Sequence, residues 1–338
     1  MLVLRVIARY ASILPVNPTT ERQTTMARVR TLGVDHIGVG VTDMERSLAF
    51  WRELGFTDVA FDHEGALPGL AEVAGRERAE ARVVMLRPAA PTPLGPGAVK
   101  LVQTLDAPPP PMPETMAWGE PGVCEVCVHV KDQAGLYARL VAAGHTGLME
   151  PNSSPLDPYG TMCALSYVAD PDGTKIELIE WLDLEEGWPQ DDGPQGVNHV
   201  AFGVADIERT RAFYRDLDFG GMLFDSDGVF EPMSPWFASG QAPRMKMTLL
   251  TNPFGAGMEP VQQIPMGPDA SGEWGHVGPF DFGIGVRNLD VALAQLAAAG
   301  IELRGEPATV DLGDGATWRY AYFREPDDTY VCLTEARY

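Results

Sequence analysis

Positive charge is what this 338-residue sequence has least of: 25 lysines and arginines stand against 47 aspartates and glutamates, a net charge of −22. Nucleic acid is held by a basic face and anionic membrane by a polybasic segment, so both partners are excluded. Cysteine is also scarce. The four residues Cys124, Cys127, Cys163 and Cys332 fit a reducing, cytoplasmic compartment and no disulfide framework. Cys124 and Cys127 form a C-x-x-C inside the strand-like run VCEVCVHV, with no second pair to complete a zinc knuckle. Residues three apart on a strand point to opposite faces, so both are expected to be buried small residues. No clean apolar run opens the chain either. MLVLRVIARYASILPV is too short and interrupted to span a membrane, and lacks the layout of a secretory signal. Residues 1–30 carry five arginines against Glu21 and read as a disordered leader, or as sequence ahead of a true start at Met26.

Repetition is what the sequence does have. VDHIGVGVTDMERSLAFWRELGF from Val34 returns as VNHVAFGVADIERTRAFYRDLDF from Val197, with His36 and His199 separated by 199 − 36 = 163 positions. Weaker copies begin at Cys124 and Asp281. Each copy opens with a strand and continues into a helix. Asp43, Asp132, Asp206 and Asn288 stand where an N-cap side chain accepts from free amides, and Gly55, Gly144 and Gly300 where a left-handed C-cap needs glycine. Short alternating runs such as ARVVMLR, TKIELIEW and TYVCLTEA follow as strands.

The unit is therefore βαβββ, present four times in an α+β chain, and units should pair to bury their sheets. The acidic, proline-containing stretch DLEEGWPQDDGPQG is the expected domain boundary. The expected order is a leader over 1–30, a first domain over 31–182 from units one and two, a linker over 183–196, and a second domain over 197–338 from units three and four.

The motif D-H-I-x-V-x-V-x-D with its F-W/Y-x-x-x-L-G-F helix, together with PYG…ADPDGTKIEL from Pro158 to Leu178, resembles the vicinal oxygen chelate superfamily. That family includes glyoxalase I, methylmalonyl-CoA epimerase, extradiol dioxygenases and bleomycin-resistance proteins. The resemblance implies that two units close into a cup holding a divalent metal on their first and last strands. In VDHIGVGVTD, one strand face carries only His36, Gly38 and Gly40, and these would line the cup and leave room for substrate.

Carrying the ligand positions over gives His36, Glu125 and Glu177 as the metal set of the first domain, with Lys100 in the remaining position. One imidazole and two carboxylates suit Fe, Mn, Ni, Co or Zn. Lys100 cannot ligate as an ammonium; it would neutralise the carboxylates or hold a substrate anion, or bridge them in a pocket without metal. Glu125 is expected to ligate or act as base, His129 to move protons, and Tyr159 to contact substrate. The second domain offers His199, Glu259 and Asp281, with Cys332 replacing a carboxylate and Pro260 disturbing the register around Glu259.

The reading that follows is a metal-dependent lyase or isomerase working through an enediolate-type intermediate on a small oxygenated compound. Two alternatives stay open: an extradiol-type dioxygenase, and a metal-free binding or resistance protein. Phe230, Trp236 and Phe237 among prolines suggest a lid and an aromatic or polyketide-like substrate. The chain would act as a monomer or homodimer.

Overall fold

The computed structural model describes residues 29–89, 97–114, 117–156, 160–183 and 192–337. The leader, apart from its last two residues, therefore lies outside the described residues, as does Tyr159. The repeat is realised four times. The first unit is β1 (Val34–Gly40), α1 (Met44–Glu53), β2 (Asp58–Ala66), β3 (Glu80–Arg87) and β4 (Ala98–Thr104). The second is β5 (Gly122–Lys131), α2 (Gln133–Ala142), β6 (Gly147–Leu156), β7 (Thr161–Ala169) and β8 (Lys175–Trp181). The third is β9 (Gly193–Gly203), α3 (Ile207–Asp216), β10 (Gly221–Gly228), β11 (Arg244–Thr251) and β12 (Gly257–Ile264). The fourth is β13 (Gly278–Gly285), α4 (Leu289–Ala298), β14 (Leu303–Gly313), β15 (Ala316–Arg324) and β16 (Tyr330–Arg337).

The local signals act as their chemistry dictates. The side chains of Asp43, Asp132, Asp206 and Asn288 each accept from an amide in the first turn of their helix. Gly55, Gly144 and Gly300 end three helices with φ of +80°, +98° and +73°, where a side chain would be strained.

How the units pair differs from the expectation. One eight-stranded sheet runs β14-β15-β16-β13-β1-β4-β3-β2 and the other β10-β11-β12-β9-β5-β8-β7-β6. Unit one therefore shares a sheet with unit four, and unit two with unit three; the assignment of 31–182 and 197–338 to separate domains is corrected. The expected linker is no boundary. Residues 184–191 lie outside the described residues, and Gly193 and Pro194 are already in β9, opposite Lys131 and Val130 of β5.

The seam between β1 and β13 gives a physical reason. The strands are antiparallel, with His36 opposite Gly283 and Gly38 opposite Asp281. A Cβ on Gly38 would collide with the Asp281 carboxylate, and one on Gly283 with the His36 ring. Each strand supplies the gap that its partner's side chain fills. A Cβ on Gly40 would meet the backbone carbonyl of His276. The bare face of VDHIGVGVTD is thus occupied by neighbouring protein, not left open for substrate.

The backs of both sheets share one core. Ile37, Val126, Phe202 and Phe282 pack there with Trp51, Leu140, Tyr214 and Leu296 from the four helices, and the Phe202 and Phe282 rings lie 5.2 Å apart. Ion pairs also link the sheets: Arg46 of α1 holds Asp172 in the β7–β8 turn, and Arg209 of α3 holds Asp327 in the β15–β16 turn.

Candidate metal centre

Four of the carried-over positions meet on the concave face of the second sheet. Glu125 of β5 and Glu259 of β12 both lie opposite Ala201 of β9, from either side. His199, two residues before Ala201, lies opposite Cys127, which in turn lies opposite Glu177 of β8. Side chains two apart share a face, so all of them point into the cup. Pro260 does not break this register. The β11–β12 ladder loses its rungs at Glu259 and Pro260, passing from Met247 opposite Val261 to Leu250 opposite Met258, but resumes in the same register, and the β12–β9 pairing is kept through Pro260 opposite Phe202.

The geometry is tight and buried. His199 Nε2 lies 2.8 Å from Glu259 Oε2, 3.5 Å from Glu177 Oε2 and 3.8 Å from Glu125 Oε1. By hydrogen-bond geometry both Glu125 oxygens, Glu177 Oε2 and His199 Nε2 lack a partner, although Tyr167 and Trp118 stand beside Glu125, and Cys127 and Tyr167 beside Glu177. Buried polar atoms normally find partners. An ion with bonds of about 2.0–2.2 Å places neighbouring ligand atoms roughly 3 Å apart or more. The three carboxylates stand 2.8–3.8 Å from His199 Nε2, with Glu125, His199 and Glu259 forming one mutually close group and Cys127, Glu177 and His199 another. Asn198 completes the arrangement: its Oδ1 is 2.8 Å from His199 Nδ1, fixing the tautomer that turns the Nε2 lone pair toward the carboxylates. One imidazole with three carboxylates fits a divalent transition metal.

Electrostatics point the same way. Burial raises the Glu125 carboxyl well above its ordinary range, and Glu177 and Glu259 raise it further, while Tyr167 and Trp118 beside it oppose the shift. Glu177 is also raised, by burial first, with His199 opposing. Burial alone would push the His199 imidazole down, but Glu259 and Glu177 outweigh it and the ring is raised. Without a cation the protein must hold protons here; a divalent ion removes that demand.

Above the cluster opens a cavity of about 230 Å³ lined by Glu177, His199 and Glu259, with Trp118, Phe224 and Met247 in its walls. The proposed lid forms a 3₁₀ turn, Glu231–Trp236, which puts Met233 into the cavity and packs Trp236 against Tyr167 at 4.7 Å between ring centroids.

The other cup is built differently. Lys100 Nζ donates to Asp281 Oδ2 at 2.6 Å and to the Tyr322 hydroxyl at 3.0 Å, and that hydroxyl donates to Asp281 at 2.6 Å. Its concave face is filled by Trp274, Trp318, Tyr320 and Tyr330. His36 turns Nδ1 to Asp35 at 2.9 Å, and burial, aided by Lys100, lowers its pKa. Burial pushes the Cys332 thiol up to about 12, so it stays neutral.

Several site assignments are therefore corrected. His36 does not join Glu125 and Glu177, because its strand belongs to the other sheet. Asp281 does not join His199 and Glu259, for the same reason. Lys100 contacts Asp281 and Tyr322, not the glutamates. His129 does not line the cavity; its Nδ1 lies 2.9 Å from Gln195 Oε1, and burial lowers its pKa to about 4. Sequence reasoning missed Cys127 and Tyr167. Cys127, dismissed as part of an inert C-x-x-C, has a sulfur within 4.8 Å of ligand atoms of Glu177 and His199; the signal was its place two residues after Glu125. Nor do the two thiols part: a register shift between Val123 and Glu125 breaks the alternation, and Cys124 and Cys127 join one buried cluster.

Among solved structures, the chain is similar to glyoxalase I from Zea mays, at 17% identity and a TM-score of 0.55, over 90% of this chain and 92% of that one. It is also similar to a provisionally named dioxygenase from Bacillus subtilis subsp. subtilis str. 168, at 12% identity and a TM-score of 0.52, over 90% and 85% of the two chains. These likenesses show the fold. No curated protein matches at a significant level. The model of one family, however, matches twice, at residues 33–178 and 196–333, spanning all four units. The chain belongs to the Glyoxalase/Bleomycin resistance protein/Dioxygenase superfamily.

Proposed function

We propose that this chain is a metal-dependent lyase or isomerase whose single metal centre is His199, Glu125, Glu177 and Glu259. The observation carrying this reading is the convergence of three buried carboxylates on the His199 ring at the base of one cavity, with ligand atoms of Glu125, Glu177 and His199 left without a geometrically formed hydrogen bond. A divalent ion bound there supplies Lewis acidity to two neighbouring substrate oxygens. The protein's own part is positional. Asn198 locks the His199 ring, and the lid turn narrows the path for water. The proton carrier must reach substrate. Glu177 and Glu259 face the cavity, whereas Glu125 stands fully buried behind them, so the base is one of the first two and Glu125 is a ligand.

Both alternatives fit less well. Oxygen-activating iron is held by two histidines and one carboxylate, and this cluster has one histidine. Lys100 and Cys332, the departures that favoured a metal-free binding protein, sit in the other cup. Four free, buried thiols support a cytoplasmic setting, and among the described residues no helix is long and apolar enough to cross a membrane.

Protein purified without chelator is expected to carry one transition-metal ion per chain by elemental analysis, and Glu259→Ala to lose most of it. With a neutral α-hydroxyketone in D₂O, the loaded protein should place deuterium on the carbon bearing the hydroxyl without consuming oxygen. Metal-free preparations of both proteins, or oxygen uptake that follows metal loading, would refute the reading.

Metal affinity should also rise with pH. In the metal-free protein the raised carboxyls of Glu125 and Glu177 and the raised His199 hold protons that an incoming ion must displace. Their protonated forms favour the folded metal-free state at low pH, and that contribution is lost as pH rises through the raised pKa values. The loaded-minus-free difference in melting temperature should therefore grow from pH 5.5 to 8. Buried, lowered His36, His129 and His276 contribute equally to both forms and cancel. A pH-independent difference would contradict the assignment.

A further inference from the structure

The cavity's lining carries more than a metal centre. Its walls are Trp118, Phe224, Phe230, Met233 and Met247, aromatic rings and flexible thioethers that favour a flat apolar body. None of its lining side chains is lysine or arginine, and the charged groups it does show are Glu177, Glu259 and Asp227, with His199 at the base. The cations beside the lining act on its rim and outer side: exposed Arg244 is bound to Asp227 at 2.6 and 2.7 Å, Lys246 lies opposite Asp227 across β10 and β11, and Lys175 interacts with Glu120 and Glu125 outside the lining.

Metal loading does not reverse this sign. A divalent ion against Glu125, Glu177 and Glu259 leaves 2 − 3 = −1 in the cluster. An anionic substrate would enter a site already negative, with no arginine fork to receive it. A neutral compound meets no such opposition, and its ring would lie against the lid turn, where Phe230 and Met233 line the cavity.

We propose that this cavity takes a neutral aromatic compound carrying two neighbouring oxygens, such as an aryl α-hydroxyketone, and discriminates against carboxylate- or phosphate-bearing analogues. The inference rests on the metal-centre reading for the placement of the oxygens, but its charge and shape selectivity come from the walls.

The test compares three probes on protein whose metal content is measured first. 2-Hydroxyacetophenone is neutral and aromatic, mandelate keeps the ring and neighbouring oxygens but adds a carboxylate, and hydroxyacetone keeps the oxygens and loses the ring. Calorimetric titration should find 2-hydroxyacetophenone tighter than either of the others by about tenfold or more. Phe230→Ala should shrink its advantage over hydroxyacetone severalfold while metal content holds. Mandelate binding as tightly, hydroxyacetone binding as tightly, or no probe binding to loaded protein overturns the proposal. Absence of metal overturns the enzyme reading instead, and the ring preference then still decides the wall's role.

Discussion

Replacing Lys100 by methionine is expected to lower the unfolding free energy by about 3–5 kcal/mol. Lys100 and Asp281 are buried to 1% and 0% exposure, and the ammonium is the cation closest to that carboxylate. Methionine keeps most of the stem's volume, so the loss comes from charge and not from a cavity. The remaining carboxylate would keep only the Tyr322 hydroxyl on Oδ2, while Oδ1 already has no partner. An uncompensated buried charge is among the few single changes that cost so much. The double variant Lys100→Met with Asp281→Leu should recover most of the loss, since exchanging both members of a buried pair for apolar groups is often neutral. Urea unfolding of the three proteins measures this, as a midpoint shift at unchanged slope. Equal midpoints for the wild type and the single variant would mean that the pair is not closed as described.

The fold was legible because its signals are local. An aspartate or asparagine before each of α1 to α4 and a glycine after three of them act within one turn of chain, and each did what capping chemistry requires. The candidate site was legible only in pieces. All four clustered residues could be named from register within their own units, because alternation fixes which side chain faces the cup. Their grouping could not. A first strand can lie antiparallel beside any other first strand, and the fit that decides the partner, His36 over Gly283 and Asp281 over Gly38, is a contact between residues some 245 positions apart (283 − 36 = 247; 281 − 38 = 243). Single-sequence periodicity carries no term for such a contact. The consequence for chemistry was complete: one pairing divides the carboxylates between two mixed cups, and the observed one gathers three with a single histidine and leaves the lysine in the other.

That division sets the second large effect. His199→Ala removes the imidazole on which the three buried carboxylates converge, so bound metal should fall from one equivalent to near zero. His36→Ala removes an imidazole of the same sequence motif, in a cup where an ammonium already neutralises the carboxylate, and should leave bound metal unchanged. Elemental analysis of these two variants beside the wild type is the most direct measurement. The structure predicts metal in the wild type and His36→Ala proteins and none in His199→Ala; loss of metal from His36→Ala with retention in His199→Ala would place the centre in the wrong cup.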